Sequence, residues 1–262
     1  MSRRRLDAEL VARGMATSRQ HATDLISSRR VTVGGAPAHK ATRQVSPSEA
    51  IVVSGPPPRY VGRGGQKLEG ALETFSVDVT DRHCLDAGSS TGGFTDCLLQ
   101  KGAASVVAVD VGTNQLHERL RANGRVISME NCDIRSISRE TFRDDPDRAS
   151  GFGMVVADLS FISTRSLLPT LGALLHRDGD AVVLVKPQFE AGRQEVSKGR
   201  GIIRDPDIWT RVLHEFIDTA QRSNLVVVDL AISPITGGKG NVEFLAHLRT
   251  GDILEPNVER NC

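Results

Sequence analysis

Two runs without a polar side chain, Val106-Val107-Ala108-Val109 and Ala181-Val182-Val183-Leu184-Val185, constrain this chain most. Each is short and rich in β-branched residues, so each reads as a strand covered on both faces. With these runs taken as 105–109 and 181–185, strand-like segments recur at 83–87, 125–129, 153–157, 225–232 and 242–248. Helical periodicity fits between most of them, around 92–101, 114–122, 164–176 and 206–223. Strand and helix in alternation predict a doubly wound α/β domain. Such sheets bind ligands outside the carboxyl ends of their strands, so polar residues there carry the functional information.

The first strand ends in Leu85-Asp86-Ala87-Gly88-Ser89-Ser90-Thr91-Gly92-Gly93-Phe94. An apolar run stops at an acid, glycines follow, and an apolar-periodic segment begins. That predicts strand, glycine-rich turn and helix, with the glycines letting backbone approach a ligand. Asp110 ends the second strand, followed by Val111, and Asp133 follows the third. An acid at Asp110 can accept hydrogen bonds from ribose hydroxyls, and one at Asp133 can reach an adenine. The pattern points to a nucleoside-bearing cofactor. It leaves a dinucleotide and S-adenosylmethionine both open, although the glycine spacing departs from G-x-G-x-x-G. The cofactor candidates are Asp86, Gly88, Ser89, Ser90, Thr91, Gly92, Gly93, Phe94, Asp110, Val111, Asp133 and Asp158.

Asp158 ends the fourth strand and Lys186 the fifth. Glu243 stands at the mouth of a late strand, after Gly237-Gly238-Lys239-Gly240. Lys67 sits near the start of a helix over 66–75 whose Leu68, Ala71, Leu72 and Phe75 face the core. A cation is not what the helix dipole favours there, so a solvated lysine is the plain alternative. If Lys67, Asp158, Lys186 and Glu243 converge, two ammonium groups neutralise two carboxylates. Such a set is either a structural ion-pair network or a device that orients a hydroxyl and moves its proton.

Charge divides the chain. Residues 1–60 hold ten Lys/Arg against four Asp/Glu, whereas residues 61–262 hold 23 against 28. A basic N-terminal module suggests contact with a polyanion. Leu6, Leu10 and Val11 share a helical face ending near Gly14, Thr17 or Ser18 caps a second helix, and Val31-Thr32-Val33-Gly34-Gly35 reads as a strand and hairpin turn. Val45 and Ile51-Val52-Val53 supply further strands. This stretch resembles an S4 RNA-binding domain, with Arg3, Arg4, Arg5, Arg19, Arg29 and Arg30 the candidate phosphate contacts. Few aromatics accompany them, which favours structured RNA read by shape. The expected division is an S4-like domain at 1–55, a Pro/Gly-rich linker at 56–65 carrying Arg59 and Arg63, and an α/β domain at 66–262. A Gly/charge-rich loop at 191–204, with Arg193, Lys198, Arg200 and Arg204, is a further candidate RNA clamp. The charged stretch 138–152 has no assigned role.

Cys84, Cys97, Cys132 and Cys262 are scattered and suggest neither a zinc site nor a disulfide framework, so no metal is expected. The N-terminus is basic but lacks an apolar stretch after it, and no run is long enough to span a bilayer. A cytoplasmic protein without membrane association is expected.

Taken together, Asp86-Ala87-Gly88…Gly92-Gly93-Phe94, Asp158 and Lys186 resemble the RrmJ/FtsJ-type ribose 2′-O-methyltransferases and their Lys-Asp-Lys-Glu tetrad. With the S4-like module, Lys186-Pro187-Gln188-Phe189-Glu190 and Asn241-Val242-Glu243-Phe244, almost the whole chain is similar to the TlyA (haemolysin A) family. The resemblance implies a Rossmann-like class I methyltransferase sheet. It implies transfer of a methyl group from S-adenosylmethionine to cytidine 2′-hydroxyls of 16S and/or 23S ribosomal RNA. Lys67, Asp158, Lys186 and Glu243 would be the catalytic set, in a protein acting as a monomer on ribosomal subunits. It further implies a part in subunit maturation and in sensitivity to capreomycin-type antibiotics. The competing readings are a non-catalytic ribosome assembly factor, a membrane-active haemolysin and a nucleotide-dependent oxidoreductase.

Overall fold

The computed structural model describes residues 3–16, 19–56 and 58–251, which form two compact units, Met1–Arg63 and Gly64–Cys262. The expected cap at Thr17 or Ser18, Pro57 of the linker, Cys262 and the tail from 252 lie outside the described residues.

In the first unit, helices Leu6–Ala12 and Arg19–Ser27 pack with a three-stranded sheet of Ala36–Pro37, Val31–Val33 and Ile51–Val53. Arg4–Arg5 pairs antiparallel with Gln44–Val45. Leu6, Leu10, Ala22, Leu25, Ile26, Val31, Val33, Val45 and Ile51 make its core. Gly14 follows the first helix at φ +68°, a left-handed position that ends a helix without a Cβ penalty.

The second unit is built on seven strands: β1 (His83–Ala87), β2 (Ser105–Val109), β3 (Val126–Met129), β4 (Phe152–Ala157), β5 (Leu175–Val185), β6 (Leu225–Ile232) and β7 (Phe244–Thr250). Their order is β6-β7-β5-β4-β1-β2-β3. β7 runs antiparallel to both neighbours, while β3, β2, β1, β4 and β5 are mutually parallel. The apolar runs of β2 and β5 are fully buried, as two covered faces require. On one face lie Leu168–Leu174 and Pro206–Arg222, whose Leu171, Leu174, Val212 and Phe216 join Val107, Val155 and Val183 in one cluster. Helices Gly64–Thr74 and Gly93–Gln100 bury Leu68, Ala71, Leu72, Cys97 and Leu98.

Several expected boundaries move, each for a tertiary reason. The helix expected over 114–122 shrinks to Glu118–Arg121 because the Glu130 carboxylate takes the amides of Asn114, Gln115 and Leu116 at 2.8–3.0 Å. Those amide bonds hold the Glu130 carboxyl below its ordinary range. β5 starts at Leu175 rather than 181, with an irregular register between Leu175 and Asp180. Asp180 is buried there and accepts from His247, Arg82 and Arg249 at 2.6–2.7 Å, so partners distant in sequence offset the burial of its charge. The loop expected at 191–204 contains a helix, Arg193–Lys198, whose Glu195 caps Gly192 and is gripped through both oxygens by Arg211.

Candidate active site

The carboxyl ends of β1, β2, β4 and β5 and the strand-entry residue before β7 carry the site. Lys186 directly follows β5, is 5 % exposed, and places Nζ 2.5 Å from Asp158 Oδ1, 2.8 Å from the Leu159 carbonyl and 3.1 Å from Ser160 Oγ. Asp158 directly follows β4. Its Oδ2 lies 3.7 Å from Lys67 Nζ, which donates to Glu243 Oε2 at 2.6 Å. Lys67 is 8 % exposed and Glu243 2 %. The structure therefore strings Glu243, Lys67, Asp158 and Lys186 into one alternating chain of charges. Lys67 is not solvated; it lies on the buried face of Gly64–Thr74, where paired carboxylates outweigh the helix dipole. Glu243 Oε1 also accepts from Gln188 at 3.1 Å, a residue of the Lys186–Glu190 motif that was given no role of its own. Gly237 is required beside it, since a Cβ there would fall 1.9 Å from Glu243 Oε1.

Asp158 also lines a cavity of about 480 Å³, within the ~300–1,000 Å³ typical of small-molecule sites. Of the expected cofactor set, Gly88, Ser90, Asp110, Val111, Asp133 and Asp158 line it. Asp110 accepts from the amides of Ser90 and Gly112 at 2.7 Å each, which ties the glycine-rich turn to the end of β2. The hydrogen bond from Arg135 holds the Asp133 carboxyl down at about 2, so it is ionised. Gly88 has φ +82°, and a Cβ there would meet the Asp158 carbonyl at 3.0 Å. Val109, Gln115, Cys132, Ile134, Arg135, Leu167 and the run 159–162 complete the wall without having been expected as cofactor contacts. Phe161 of that run is 92 % exposed and lies 5.4 Å from the Phe189 ring.

The other cofactor candidates do not line the cavity. Asp86 is fully buried: Oδ2 accepts from the amide and hydroxyl of Thr95 at 2.9 and 2.6 Å, and Oδ1 has no protein partner. Burial pushes its carboxyl up to about 7, against those two bonds. Ser89 and Phe94 are buried, and the Thr91 carbonyl accepts from His117. Gly92 caps the helix Gly93–Gln100 at φ +94°, where a Cβ would collide with Leu120 and Leu116. These residues shape the turn rather than its open side. Glycine spacing marks a tight turn but does not say which of its atoms face a ligand.

Several basic residues of the first unit are held by acids. Arg5 and Arg19 both reach the buried Asp7, at 2.8 and 2.9 Å, and the Arg5 bond helps keep its carboxyl far below the usual range. Arg4 pairs with Glu9, Arg3 with Glu49, and Arg63 with Asp24. Arg30 donates to the Ser54 and Pro56 carbonyls, Arg59 lies over the Tyr60 ring, and Arg29 is exposed at φ +58°. Arg193, Lys198 and Arg200 are exposed. Arg204, expected beside them, is exposed as well. Among the described residues no cluster of His, Cys, Asp or Glu could hold a metal ion, and no helix is long and apolar enough to cross a membrane.

Comparison with known proteins adds to this geometry. Residues 60–250 match the FtsJ-like methyltransferase family and residues 4–51 the S4 domain. A 16S/23S rRNA (cytidine-2′-O)-methyltransferase TlyA of Mycobacterium tuberculosis is 46 % identical, over 95 % of this chain and 91 % of its own. A solved structure described as a proposed hemolysin of Streptococcus thermophilus is 40 % identical with TM-score 0.76, covering 96 % of this chain and 90 % of its own. A solved protein described as a proposed S-adenosylmethionine dependent methyltransferase of Listeria monocytogenes shares the fold at TM-score 0.53 and 16 % identity, covering 73 % and 100 %.

Proposed function

The chain belongs to the FtsJ-like methyltransferase family, carries an S4 domain, and we propose that it methylates cytidine 2′-hydroxyls of ribosomal RNA. The observation that carries this reading is the Glu243–Lys67–Asp158–Lys186 chain at the edge of the cavity. The S4 unit would hold structured RNA through Arg3, Arg4, Arg5, Arg19, Arg29 and Arg30, with Arg59, Arg63, Arg193, Lys198 and Arg200 adding contacts. The protein would act in the cytoplasm as a monomer on ribosomal subunits, with subunit maturation and capreomycin-type sensitivity as downstream effects.

The cavity suits S-adenosylmethionine chemically. Its wall carries the carboxyl groups of Asp110, Asp133 and Asp158, which favour a cationic ligand, and its apolar side at Ile134 and Leu167 suits a purine. Asp86, fully buried and with Oδ1 lacking a hydrogen-bond partner, stays outside the cavity wall and is no contact of the ligand. Asp110 would hold the ribose, Asp133 the adenine end, and Gly88 and Ser90 the amino-acid part. Bound there, S-adenosylmethionine supplies an electrophilic methyl carbon.

The protein's own task is alignment and handling of one proton. Lys186 Nζ donates to three oxygens, and the Ser160 hydroxyl is the partner that can rotate away. A ribose 2′-hydroxyl entering there accepts a hydrogen bond from the ammonium, which lowers its pKa and stabilises the developing negative charge, and its proton passes to solvent as the oxygen takes the methyl group. Asp158 keeps Nζ aimed, while Lys67 and Glu243 neutralise Asp158 and position the ribose. The test is mapping of ribose methylation on ribosomal RNA from cells with and without the gene, complemented by Lys186→Ala and Asp158→Ala. The reading expects specific cytidine 2′-O-methyl groups to vanish and neither variant to restore them. Unchanged methylation in the deletion, or full restoration by folded Lys186→Ala, overturns it.

A further inference from the structure

One buried carboxylate near the site belongs to neither the charge chain nor the cavity wall. Glu190 ends the short helix Pro187–Glu190, directly after Lys186, and is 6 % exposed. Its Oε1 accepts from the Thr164 amide at 2.6 Å. Its Oε2 accepts from Ser163 Oγ at 2.5 Å and Arg165 Nε at 2.9 Å. Arg165 returns a bond to the Glu190 carbonyl at 3.0 Å and pairs with Glu215 of Pro206–Arg222. Thr164 Oγ1 adds a bond to the Leu184 carbonyl at 3.3 Å.

These contacts fasten one segment to another at both ends. At the near end, Lys186 grips Asp158, Leu159 and Ser160. At the far end, Glu190 grips Ser163, Thr164 and Arg165. Between the two clasps lie Phe161, at φ +67°, and Ile162, which with Leu159 and Ser160 wall the cavity. A non-glycine residue in the left-handed region is strained and persists where neighbours over-determine it. Apart from the bonds of Lys186, most of those that anchor this stretch converge on Glu190, with Thr164 Oγ1 on the Leu184 carbonyl and Arg165 on Glu215 besides. The sequence places Lys186 and Glu190 four residues apart, so one rigid turn sets both clasps.

We propose that Glu190 is a positioning residue for methyl transfer, holding 159–164 in register with Lys186 so that the Leu159 carbonyl aims its Nζ. The inference rests on Lys186 being the group that meets the ribose hydroxyl. Glu190 touches neither substrate nor cofactor; it acts through the backbone of the facing segment. All three side-chain and amide partners of its carboxylate are donors, so an amide in its place can satisfy one oxygen's worth of them and opposes the rest.

The test is Glu190→Gln in the full-length protein, assayed on ribosomal subunits, with active sites counted by calorimetric titration of S-adenosylmethionine. The expected result is a loss of about 10²-fold in kcat per titrated site, as an ångström-scale misplacement produces, with KM for RNA within a few fold. The pH dependence of kcat should move as well, because the variant alters how the Leu159 carbonyl meets Lys186. A purely structural role would lower the number of titrated sites and leave both kcat per site and its pH profile unchanged; that result overturns the proposal. If Glu190→Gln does not fold, Ser163→Ala removes one donor and keeps the carboxylate, with about 10-fold lower kcat expected and parent-like kcat overturning. Lys186→Ala separates the two failures. Activity retained by Lys186→Ala sinks the assignment of Lys186, whereas an inactive Lys186→Ala beside a parent-like Glu190→Gln sinks only the role of Glu190.

Discussion

Lys67 Nζ lies 2.6 Å from Glu243 Oε2 across 176 residues of sequence, and both side chains are almost fully buried. Neither is there for packing. A buried ion pair recovers little more than its desolvation cost, whereas removing one partner leaves an uncompensated charge.

Lys67→Met should therefore destabilise the second unit by about 3–5 kcal/mol, because Glu243 would keep only Gln188 as a partner. The double variant Lys67→Met/Glu243→Gln should recover much of that loss and remain inactive. Chemical denaturation with a double-mutant cycle reads the first part and methyl incorporation the second. Additive losses in the cycle would show that the two residues do not act as a pair.

Glycines in the loop before β7 separate steric from backbone effects. A Cβ at Gly237 would fall 1.9 Å from Glu243 Oε1, whereas Gly240, at φ +84°, has nothing within 4 Å. Gly237→Ala should cut activity more than tenfold, on the order of an active-site misplacement. Gly240→Ala should cost about 1 kcal/mol of backbone strain and leave the rate closer to that of the parent. Equal kinetic damage from both would remove Glu243 placement as the explanation.

Much of the second unit was legible because its strands are apolar runs bounded by polar residues. β1, β2 and β6 start and stop where the sequence places them. β5 was read six residues short, since Arg177, Asp178, Gly179 and Asp180 look like a turn until Arg82, His247 and Arg249 are brought to Asp180. The site was legible where charge stands at a strand end, as at Asp110, Asp158 and Lys186. It was not legible where a wall is built from ordinary loop residues such as Gln115 and the run 159–162. Nor does a glycine-rich motif distinguish Gly88, which faces the cavity, from Gly92, which is wedged against Leu116 and Leu120.

Salt dependence tests the arginines proposed to contact RNA. Each lysine or arginine that neutralises a phosphate adds close to one unit to the slope of log K against log salt. Arg29→Ala and Arg19→Ala should each lower that slope by about one for ribosomal RNA. Asp7→Asn should weaken binding although it adds a net positive charge, because Asp7 holds both Arg5 and Arg19 in place. Stronger binding by Asp7→Asn would mean that charge alone, and not its placement, governs the contact.

Asp86 makes the pH dependence of folding specific. Burial raises its carboxyl from 3.8 to about 7, so the folded state holds a proton that the unfolded state releases near 3.8. Between those values the folded state binds more protons, and stability must fall as pH rises; the penalty begins near pH 4 and is complete above about pH 7. Asp86→Asn removes this titration but keeps an acceptor for the Thr95 amide and hydroxyl. Unfolding free energy measured from pH 5 to 8 should therefore decline less steeply in Asp86→Asn than in the parent. Parallel curves would mean that Asp86 is ionised throughout, with its orphaned Oδ1 stabilised by something other than a proton.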